Sequence, residues 1–224
     1  MAGKVGFRVH APWPRPDAAT LAAFGKASSA QVADSMSRLG AMEMGIQPVW
    51  FSPRIIGPAI TVWCHAGDNL MVHKAISVAV PGDVLVINTQ GSSVSGFGEL
   101  IATAAARVGL SAVIVDGTVR DTESFETLKL PVYARGVCPG GCHKDGPGEV
   151  GAIIACGGVA VRPGDIIIAD RDGVAVVPLA DAPEVARLSE IQMAQEEKRL
   201  AEIAKGVLVR PEIDEQLRRL KVIV

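Results

Sequence analysis

The fold is decided by Asp83-Val84-Leu85-Val86-Ile87-Asn88, together with the segments Glu99 to Val108 and Ala112-Val113-Ile114-Val115. The first and last of these are nearly continuous apolar runs, which is typical of strands buried on both faces. The middle segment has the apolar spacing of a helix, and Gly109 is its stop. A strand, a helix and a strand within about 30 residues form a βαβ unit, so we expect two parallel strands in one sheet.

Further elements precede this unit. Ser28-Ser29 are candidate caps of a helix whose apolar residues recur at positions 32, 36 and 39, and Gly40 is its stop. Pro58 to Trp63 is typical of a strand, and Leu70 to Val80 is typical of a helix closed by Pro81-Gly82. The βαβ unit is therefore expected to belong to a larger α/β domain.

Short apolar segments separated by Gly, Pro and Asp follow residue 130, and their close spacing predicts strands in antiparallel hairpins. These segments are residues 131–134, 152–155, 159–161, 165–169 and 174–177. A long helix follows from about Asp181 to Lys205, with Asp181 and Glu184 as a capping box and Gly206 as its stop.

The domain organisation follows from these elements. Residues 1–27 are expected to form an N-terminal arm and first helix, and the prolines of the arm favour packing on a neighbour or a loose conformation. Residues 28–180 are expected to form one α/β domain, with residues 181–224 as a C-terminal helix and tail. A length of 224 residues fits this single domain with appended segments.

Composition excludes several classes of protein. Apolar residues make up 49% of the chain and charged residues 21%, which excludes wholesale disorder. The 22 Lys and Arg are balanced by 24 Asp and Glu, so no basic surplus exists for a nucleic-acid backbone. No apolar run of about 18 residues predicts a membrane span, and Met1 to Pro16 lacks the apolar core of a secretory signal. We therefore expect a cytoplasmic protein with four reduced cysteines.

A candidate site lies where the two parallel strands end, because ligands of open α/β sheets bind beyond the carboxyl ends of the strands. A glycine- and serine-rich stretch at 91–98 and the helix beginning at Glu99 follow the first strand, and Arg120-Asp121 follows the second. The helix start and Arg120 suit a carboxylate or phosphate, and Glu99 and Asp121 supply oxygens for Mg²⁺ or Mn²⁺. The alternative is a surface turn with a weak salt bridge and a glutamate favoured by the helix dipole.

Other motifs in the sequence give weaker indications of a functional site. The segment Cys138-Pro139-Gly140-Gly141-Cys142-His143, with Cys156 as a further ligand, allows a zinc site, but the ligand spacing favours a turn with incidental thiols. Lys74, Lys129 and Lys144 could form a Schiff base only if desolvated, and solvated lysines are favoured. The histidines have no serine or cysteine partner at the spacing of a catalytic triad.

Several short blocks together occur in the order of a known family and cover about residues 30–178. They are Gly67-Asp68-Asn69-Leu70, Pro81-Gly82-Asp83-Val84, Gly98-Glu99-Leu100, Asp116-Gly117-Thr118-Val119-Arg120-Asp121, Pro131-Val132-Tyr133-Ala134-Arg135-Gly136, Gly146-Pro147-Gly148-Glu149-Val150 and Pro163-Gly164-Asp165. On these blocks the chain resembles the RraA-like family. That family contains class II 4-hydroxy-4-methyl-2-oxoglutarate / 4-carboxy-4-hydroxy-2-oxoadipate aldolases and regulators of ribonuclease activity.

The resemblance implies a fold and an assembly. The expected fold is a swivelling β/β/α-type domain with a βαβ core, antiparallel hairpins and a long C-terminal helix. The expected assembly is a trimer or a hexamer with active sites at subunit interfaces, where the C-terminal helix of one subunit reaches its neighbour. The sequence leaves open the choice between trimer and hexamer.

The resemblance also implies an activity with Mg²⁺ or Mn²⁺ as cofactor. The substrate would be a 4-hydroxy-2-oxo acid, cleaved to pyruvate and a second keto acid, with decarboxylation of oxaloacetate at the same site. The family also implies a different class, a non-enzymatic regulator that binds and inhibits a ribonuclease. A third alternative is an enzyme acting on another 2-oxo acid.

Site residues carry over from the family's motifs position by position. Asp121 would be the metal ligand, and Arg120 would contact the 2-oxo oxygen. The backbone of residues 98–101, namely Gly98, Glu99, Leu100 and Ile101, would hold the substrate carboxylate. Glu99 stands where the family also has Asp, and it would orient the water that accepts the proton. Glu196 or Glu197 of a neighbouring subunit would complete the site.

Overall fold

The computed structural model describes residues 4–50 and 53–223. Residues 1–3 and 224, which belong to the predicted arm and tail, lie outside the described residues, as do residues 51–52. Eleven strands occur in the described part of the chain: β1 (Phe7–Val9), β2 (Gln47–Pro48), β3 (Ile55–Cys64), β4 (Val84–Phe97), β5 (Ala112–Val119), β6 (Val132–Val137), β7 (Gly148–Val150), β8 (Ile154–Cys156), β9 (Val159–Val161), β10 (Ile166–Asp170) and β11 (Gly173–Val177).

Seven α-helices accompany these strands, again within the described residues. They are α1 (Ala18–Ala22), α2 (Ser29–Ser35), α3 (Leu70–Ile76), α4 (Glu99–Val108), α5 (Thr122–Thr127), α6 (Ala182–Ala204) and α7 (Pro211–Arg219). A 3₁₀ turn at Leu179–Asp181 leads into α6. None of the described helices combines the length and the apolar character that a membrane span requires.

The predicted βαβ unit is confirmed and forms the centre of the main sheet. Its strand order is β1-β7-β3-β4-β5-β6-β2, with β3, β4, β5 and β6 parallel. The first half of β3 leaves this sheet and pairs with β10, which pairs in turn with β11. The predicted hairpins β8–β9 and β10–β11 are antiparallel.

Three apolar clusters stack the elements into layers. One cluster lies between the main sheet and α3, α4 and α5, and it contains Val113, Val115, Ala102 and Phe125. A second lies on the opposite face, between the main sheet and strands β8 to β11. A third covers the outer face of β10 and β11 with α2 and the first turns of α6. The layers of the molecule therefore follow in the order helices, sheet, sheet, helices. This confirms the predicted mixed α/β fold.

The expectation that the glycine- and serine-rich stretch at 91–98 follows the end of the strand is wrong, because β4 runs on through this segment to Phe97. Gln90 and Gly91 adopt positive φ angles of 57° and 67° and interrupt the register with β5. Pairing resumes at Ser92 with Gly117 and again at Phe97 with Val119. The bulge lets the strand continue as far as the start of α4.

Some helix ends also differ from the predictions. Helix α2 stops at Ser35 because Ser37 and Arg38 adopt left-handed backbone angles, and the Arg38 N–H donates to the Ala33 carbonyl at 2.8 Å. The predicted capping box of α6 is absent, since Glu184 instead pairs with Arg187 at 2.6 Å. By contrast, α4 spans the predicted residues, and α3 begins as predicted but ends at Ile76.

The N-terminal arm lies against its own sheet, where β1 pairs in parallel with β7. Farther along the arm, the guanidinium of Arg15 binds both carboxylate oxygens of Asp83, one of them at 3.0 Å. The Asp83 carboxylate is fully buried at the start of β4 and also accepts the Val80 N–H at 3.0 Å. The arm therefore neutralises a buried charge next to the central strand.

Replacing Arg15 is expected to destabilise the fold. Arg15→Ala leaves the buried Asp83 with one neutral donor, so we expect urea denaturation to show a loss of about 1.5–3 kcal/mol in the free energy of unfolding. Arg187→Ala is the matched control, because its partner Glu184 is exposed, and its denaturation midpoint is expected to stay close to wild type. Equal midpoints for the two variants would contradict the anchoring role of the arm.

Candidate active site

The N-terminus of α4 presents backbone N–H groups that the helix itself does not use. Gly98 is the N-cap residue and supplies no capping side chain. The Glu99 N–H donates to Asp121 Oδ2 at 3.1 Å, and the Ala102 N–H donates to the Gly98 carbonyl at 2.9 Å. The N–H groups of Leu100 and Ile101 lie between them and are available to an anion.

Arg120 and Asp121 follow β5 and face the start of α4. This is the position expected from the rule that parallel strands end at the same edge of a sheet. The Arg120 N–H donates to the Phe97 carbonyl at 3.0 Å, which extends the β4–β5 pairing by one residue. Asp121 then takes a left-handed backbone conformation at φ 56° and is the N-cap residue of α5, with no capping hydrogen bond from its side chain. Its Oδ2 lies 3.5 Å from Arg120 Nε, and both side chains are nearly half exposed. The structure therefore brings Glu99, Arg120 and Asp121 together.

Gly98 has to be small because the two charged side chains pass directly over it. A Cβ atom at this position would lie 2.7 Å from Asp121 Oδ2 and 3.0 Å from Arg120 Cγ. Its φ of −156° is open to any residue, so space rather than backbone conformation requires the glycine.

A small cavity of about 90 Å³ opens at this point. The predicted residues Gly98, Glu99, Leu100, Ile101, Arg120 and Asp121 line one side of it. Residues that the sequence did not predict for the site complete the lining, namely Asn69, His73, Ser95, Phe97, Cys142 and Lys144. A wider cleft of about 580 Å³ between α4 and α5 also reaches Glu99 and Asp121. The two carboxylates thus stand between a small cavity and an open cleft.

The residues missed in the sequence come from the end of β4, from α3 and the residue before it, and from the loop at 138–144. Asn69 precedes α3 and belongs to the Gly67-Asp68-Asn69-Leu70 block, so that block was the signal that pointed to it. Cys142 lies in the segment interpreted as a turn with incidental thiols, and Lys144, interpreted as a solvated lysine, comes shortly after that segment. Within the described residues, no group of three or more His, Cys, Asp or Glu side chains is arranged to bind a metal.

A buried carboxylate holds these two segments together. Asp68 is 3% exposed, and its Oδ1 accepts the Leu70 N–H at 2.9 Å. Its Oδ2 accepts the N–H groups of Asp145 and Gly146 at 2.7 and 2.8 Å. The loop that carries Cys142 is thereby tied to the beginning of α3.

Asn69 contributes a buried acceptor without a partner. The residue is only 8% exposed, and its Nδ2 donates to the Gly96 carbonyl at 3.3 Å. Its Oδ1 is buried and has no hydrogen-bond partner among the described residues. Because buried polar atoms are nearly always satisfied, this oxygen indicates a ligand or water that donates a hydrogen bond in the cavity.

The cavity raises or lowers the pKa of two of its side chains. Burial raises the pKa of the Cys142 thiol, and the nearby carboxylate of Asp68 acts in the same direction, against Arg120 and Lys144. Burial lowers the pKa of His73, and the positive charge of Lys144 lowers it further. Both groups therefore favour their neutral forms.

Glu196 and Glu197 lie on α6, outside both cavities. Glu196 accepts hydrogen bonds from Gln31 at 2.5 Å and from Gln192 at 2.8 Å, within its own chain. Glu197 is exposed. The structure of one chain does not bring either glutamate to Arg120 and Asp121.

Comparison with known proteins gives consistent matches. The family model RraA-like, described as Aldolase/RraA, matches residues 29–176. A protein of Halalkalibacterium halodurans with the provisional name 4-hydroxy-4-methyl-2-oxoglutarate aldolase is 34% identical over 178 residues, which is 79% of this chain and 85% of that protein.

Two solved structures share the fold with measurable sequence identity. Streptomyces coelicolor RraAS2, described as an unusual member of the RNase ES inhibitor RraA family, is 27% identical with a TM-score of 0.73 and covers 87% of this chain and 99% of its own. A Geobacillus kaustophilus protein described as an S-adenosylmethionine: 2-dimethylmenaquinone methyltransferase is 33% identical with a TM-score of 0.63, over 67% of this chain and 94% of its own. The glycine-rich segment 91–98 lacks the spacing of a nucleotide-binding fingerprint and lies largely in β4.

Loss of Asp68 is expected to loosen the loop at 138–146. Asp68→Ala removes three charge-assisted hydrogen bonds, so we expect the amides of Asp145 and Gly146 to exchange with solvent at least about tenfold faster in hydrogen-exchange measurements. Asp172→Ala, at an exposed carboxylate in the β10–β11 turn, is the matched control. Unchanged exchange in Asp68→Ala would show that Asp68 does not hold the loop.

Proposed function

The chain belongs to the RraA-like family, and on that premise we propose that it is a lyase that cleaves 4-hydroxy-2-oxo acids to pyruvate and a second keto acid. The substrates that we propose are 4-hydroxy-4-methyl-2-oxoglutarate or 4-carboxy-4-hydroxy-2-oxoadipate, with oxaloacetate decarboxylation as a side activity. The observation that supports the proposal is that Glu99, Arg120 and Asp121 lie together at the N-terminus of α4.

Binding of the keto acid follows from the donors at this site. The N–H groups of Leu100 and Ile101 at the positive end of α4 suit the substrate carboxylate. Arg120 presents a planar fork of donors beside them and suits the 2-oxo oxygen. Its Nη1 lies 3.5 Å from the Pro139 carbonyl, which helps to orient the guanidinium.

Asp121 fits a hard divalent cation. One of its oxygens, Oδ2, already accepts the Glu99 N–H, and the half-exposed carboxylate keeps Oδ1 for a ligand. A single protein carboxylate suits Mg²⁺ or Mn²⁺, which keep several waters and take the remaining ligands from substrate. When bound, such an ion polarises the substrate carbonyl as a Lewis acid.

Cleavage requires a base and a stabilised negative charge. Glu99 is exposed between the small cavity and the wide cleft, where its carboxylate can take the proton of the 4-hydroxyl through a water. The C4–O bond then becomes a carbonyl, and the electron pair of the C3–C4 bond passes to the pyruvate enolate. Arg120 stabilises the enolate oxygen, and protonation at C3 gives pyruvate. Oxaloacetate loses CO₂ through the same enolate.

Self-association as a trimer or hexamer would place these sites at subunit interfaces. Leu100 at the mouth of the cavity is 83% exposed, and Leu200 and Ile203 on the second half of α6 are 66% and 41% exposed. Contact with a neighbouring chain would cover these apolar side chains. In that assembly, α6 of the neighbour would supply Glu196 or Glu197 to the site.

The second candidate function is inhibition of a ribonuclease, and the likeness to Streptomyces coelicolor RraAS2 favours it. Fold alone does not separate an enzyme from a regulator. Glu196 and Glu197 on the long helix α6 favour the lyase. Turnover of the keto acids by the purified protein distinguishes the two functions.

Substitution of either site residue is expected to remove both activities. Arg120→Ala and Asp121→Ala should each lower kcat/KM for 4-hydroxy-4-methyl-2-oxoglutarate and for oxaloacetate by at least about 10²–10³, because a preorganised charge next to the enolate is lost. Arg107→Ala, an exposed arginine in the last turn of α4, should keep the wild-type rate. Wild-type rates in Arg120→Ala or Asp121→Ala would refute the assignment.

Co-expression of two inactive chains tests the contribution of Glu196 from a neighbour. Arg120→Ala and Glu196→Ala should each be inactive alone, whereas mixed oligomers should regain pyruvate release at sites that combine an intact Arg120 with an intact Glu196. The same mixture made with Glu197→Ala identifies which glutamate acts. No recovery with either glutamate variant, or full activity of both variants alone, would exclude a catalytic glutamate from the neighbour.

A further inference from the structure

Cys142 differs from the other cysteines of the chain in its position. It is partly exposed and lines the small cavity that Arg120 and Gly98 also line. Cys64 and Cys156 are buried, and Cys138 is partly exposed but does not line that cavity. The Cys142 Sγ lies 3.9 Å from the Val94 carbonyl, which leaves a thiol facing a space lined by charged and polar groups.

Two cations and one unsatisfied acceptor belong to the same cavity as this thiol. Arg120 and Lys144 both act electrostatically on Cys142, and both line the same cavity. The buried Asn69 Oδ1, without a partner among the described residues, independently indicates that a ligand or water occupies the cavity. A small anion bound by the two cations would occupy the cavity that Cys142 also lines.

We propose that Cys142 is a covalent modification site for small anionic electrophiles of the 2-oxo-acid class. The recognition of the acid by Arg120 rests on the proposed function. With a 3-halo-2-oxo acid, the Cys142 sulfur attacks C3, the new C–S bond forms and the carbon–halogen bond breaks. The halide leaves, and the thiol proton passes to solvent. The product is a thioether that fills the small cavity and blocks the keto-acid site.

Selectivity comes from the cavity and not from an unusually reactive thiol. Burial disfavours the thiolate of Cys142, so an uncharged alkylating reagent finds no advantage there. An anionic reagent is concentrated by Arg120 and Lys144 before it reacts. The ratio of the labelling rates of the anionic and the uncharged reagent at Cys142 therefore measures how strongly the cavity concentrates an anion.

The test compares 3-bromopyruvate with uncharged iodoacetamide on the folded full-length protein. Mass spectrometry should find the bromopyruvate adduct on Cys142 at a rate about tenfold higher than on Cys138, the gain expected of one additional charge-assisted contact. Iodoacetamide should show no preference for Cys142. Excess pyruvate should slow the bromopyruvate reaction, and Cys138→Ser should leave the Cys142 adduct unchanged.

Two variants test the role of the cations. Arg120→Ala and Lys144→Ala should both slow the labelling of Cys142 by bromopyruvate without slowing its labelling by iodoacetamide. The denaturation midpoint of each variant should be unchanged. Equal labelling of Cys138 and Cys142, labelling independent of both cations, or an adduct on Lys144 alone would overturn the proposal. Labelling is read by mass and not by turnover. Selective labelling without turnover would therefore contradict only the lyase, and turnover without selective labelling would contradict only the Cys142 site.

Discussion

The hydrogen bond from the Glu99 N–H to Asp121 Oδ2 joins the two chain segments that leave the central parallel strands. It forms because β4 and β5 remain paired to Phe97 and Val119 and because Asp121 turns into a left-handed conformation just beyond that point. The same carboxylate crowds Gly98, so the helix start, the glycine and the charged pair depend on one another. The remaining layers of the fold hold these strand ends in register, and the cavity opens where they meet.

Much of this arrangement could be predicted from the sequence, since the apolar runs of β4 and β5 and the Gly109 stop of α4 are local signals. Parallel strands end at one edge of a sheet, and that rule alone brings Glu99 to Arg120 and Asp121. The continuation of β4 through residues 91–97 could not be predicted, because glycine and serine are poor strand formers and the bulge at Gln90 and Gly91 depends on the pairing with β5. Asn69 and Cys142 were missed since long-range hydrogen bonds bring them to the site, from Asn69 Nδ2 to the Gly96 carbonyl and from the Asp145 N–H to Asp68.

The C-terminal helix shows the difference between a site within one chain and a site in an assembly. Only the first turns of α6 are buried, at Ala182, Val185, Ala186 and Ser189, and the rest of the helix extends beyond that contact with exposed apolar and acidic residues. Within the chain, Gln31 and Gln192 bind the Glu196 carboxylate, so a fixed orientation of that group exists before any neighbour approaches. The proposed lyase needs this helix at a neighbouring site, whereas inhibition of a ribonuclease would need a free surface for its target.

The release of pyruvate is the most direct test of the proposed lyase and of the metal site at Asp121. Purified protein would be given 4-hydroxy-4-methyl-2-oxoglutarate or oxaloacetate, with Mg²⁺ and again with excess EDTA. We expect turnover of both acids with Mg²⁺ and loss of both activities with EDTA. Turnover that resists EDTA would contradict a metal at Asp121 and point to a lysine Schiff base, and folded protein without turnover of either acid would contradict the lyase itself.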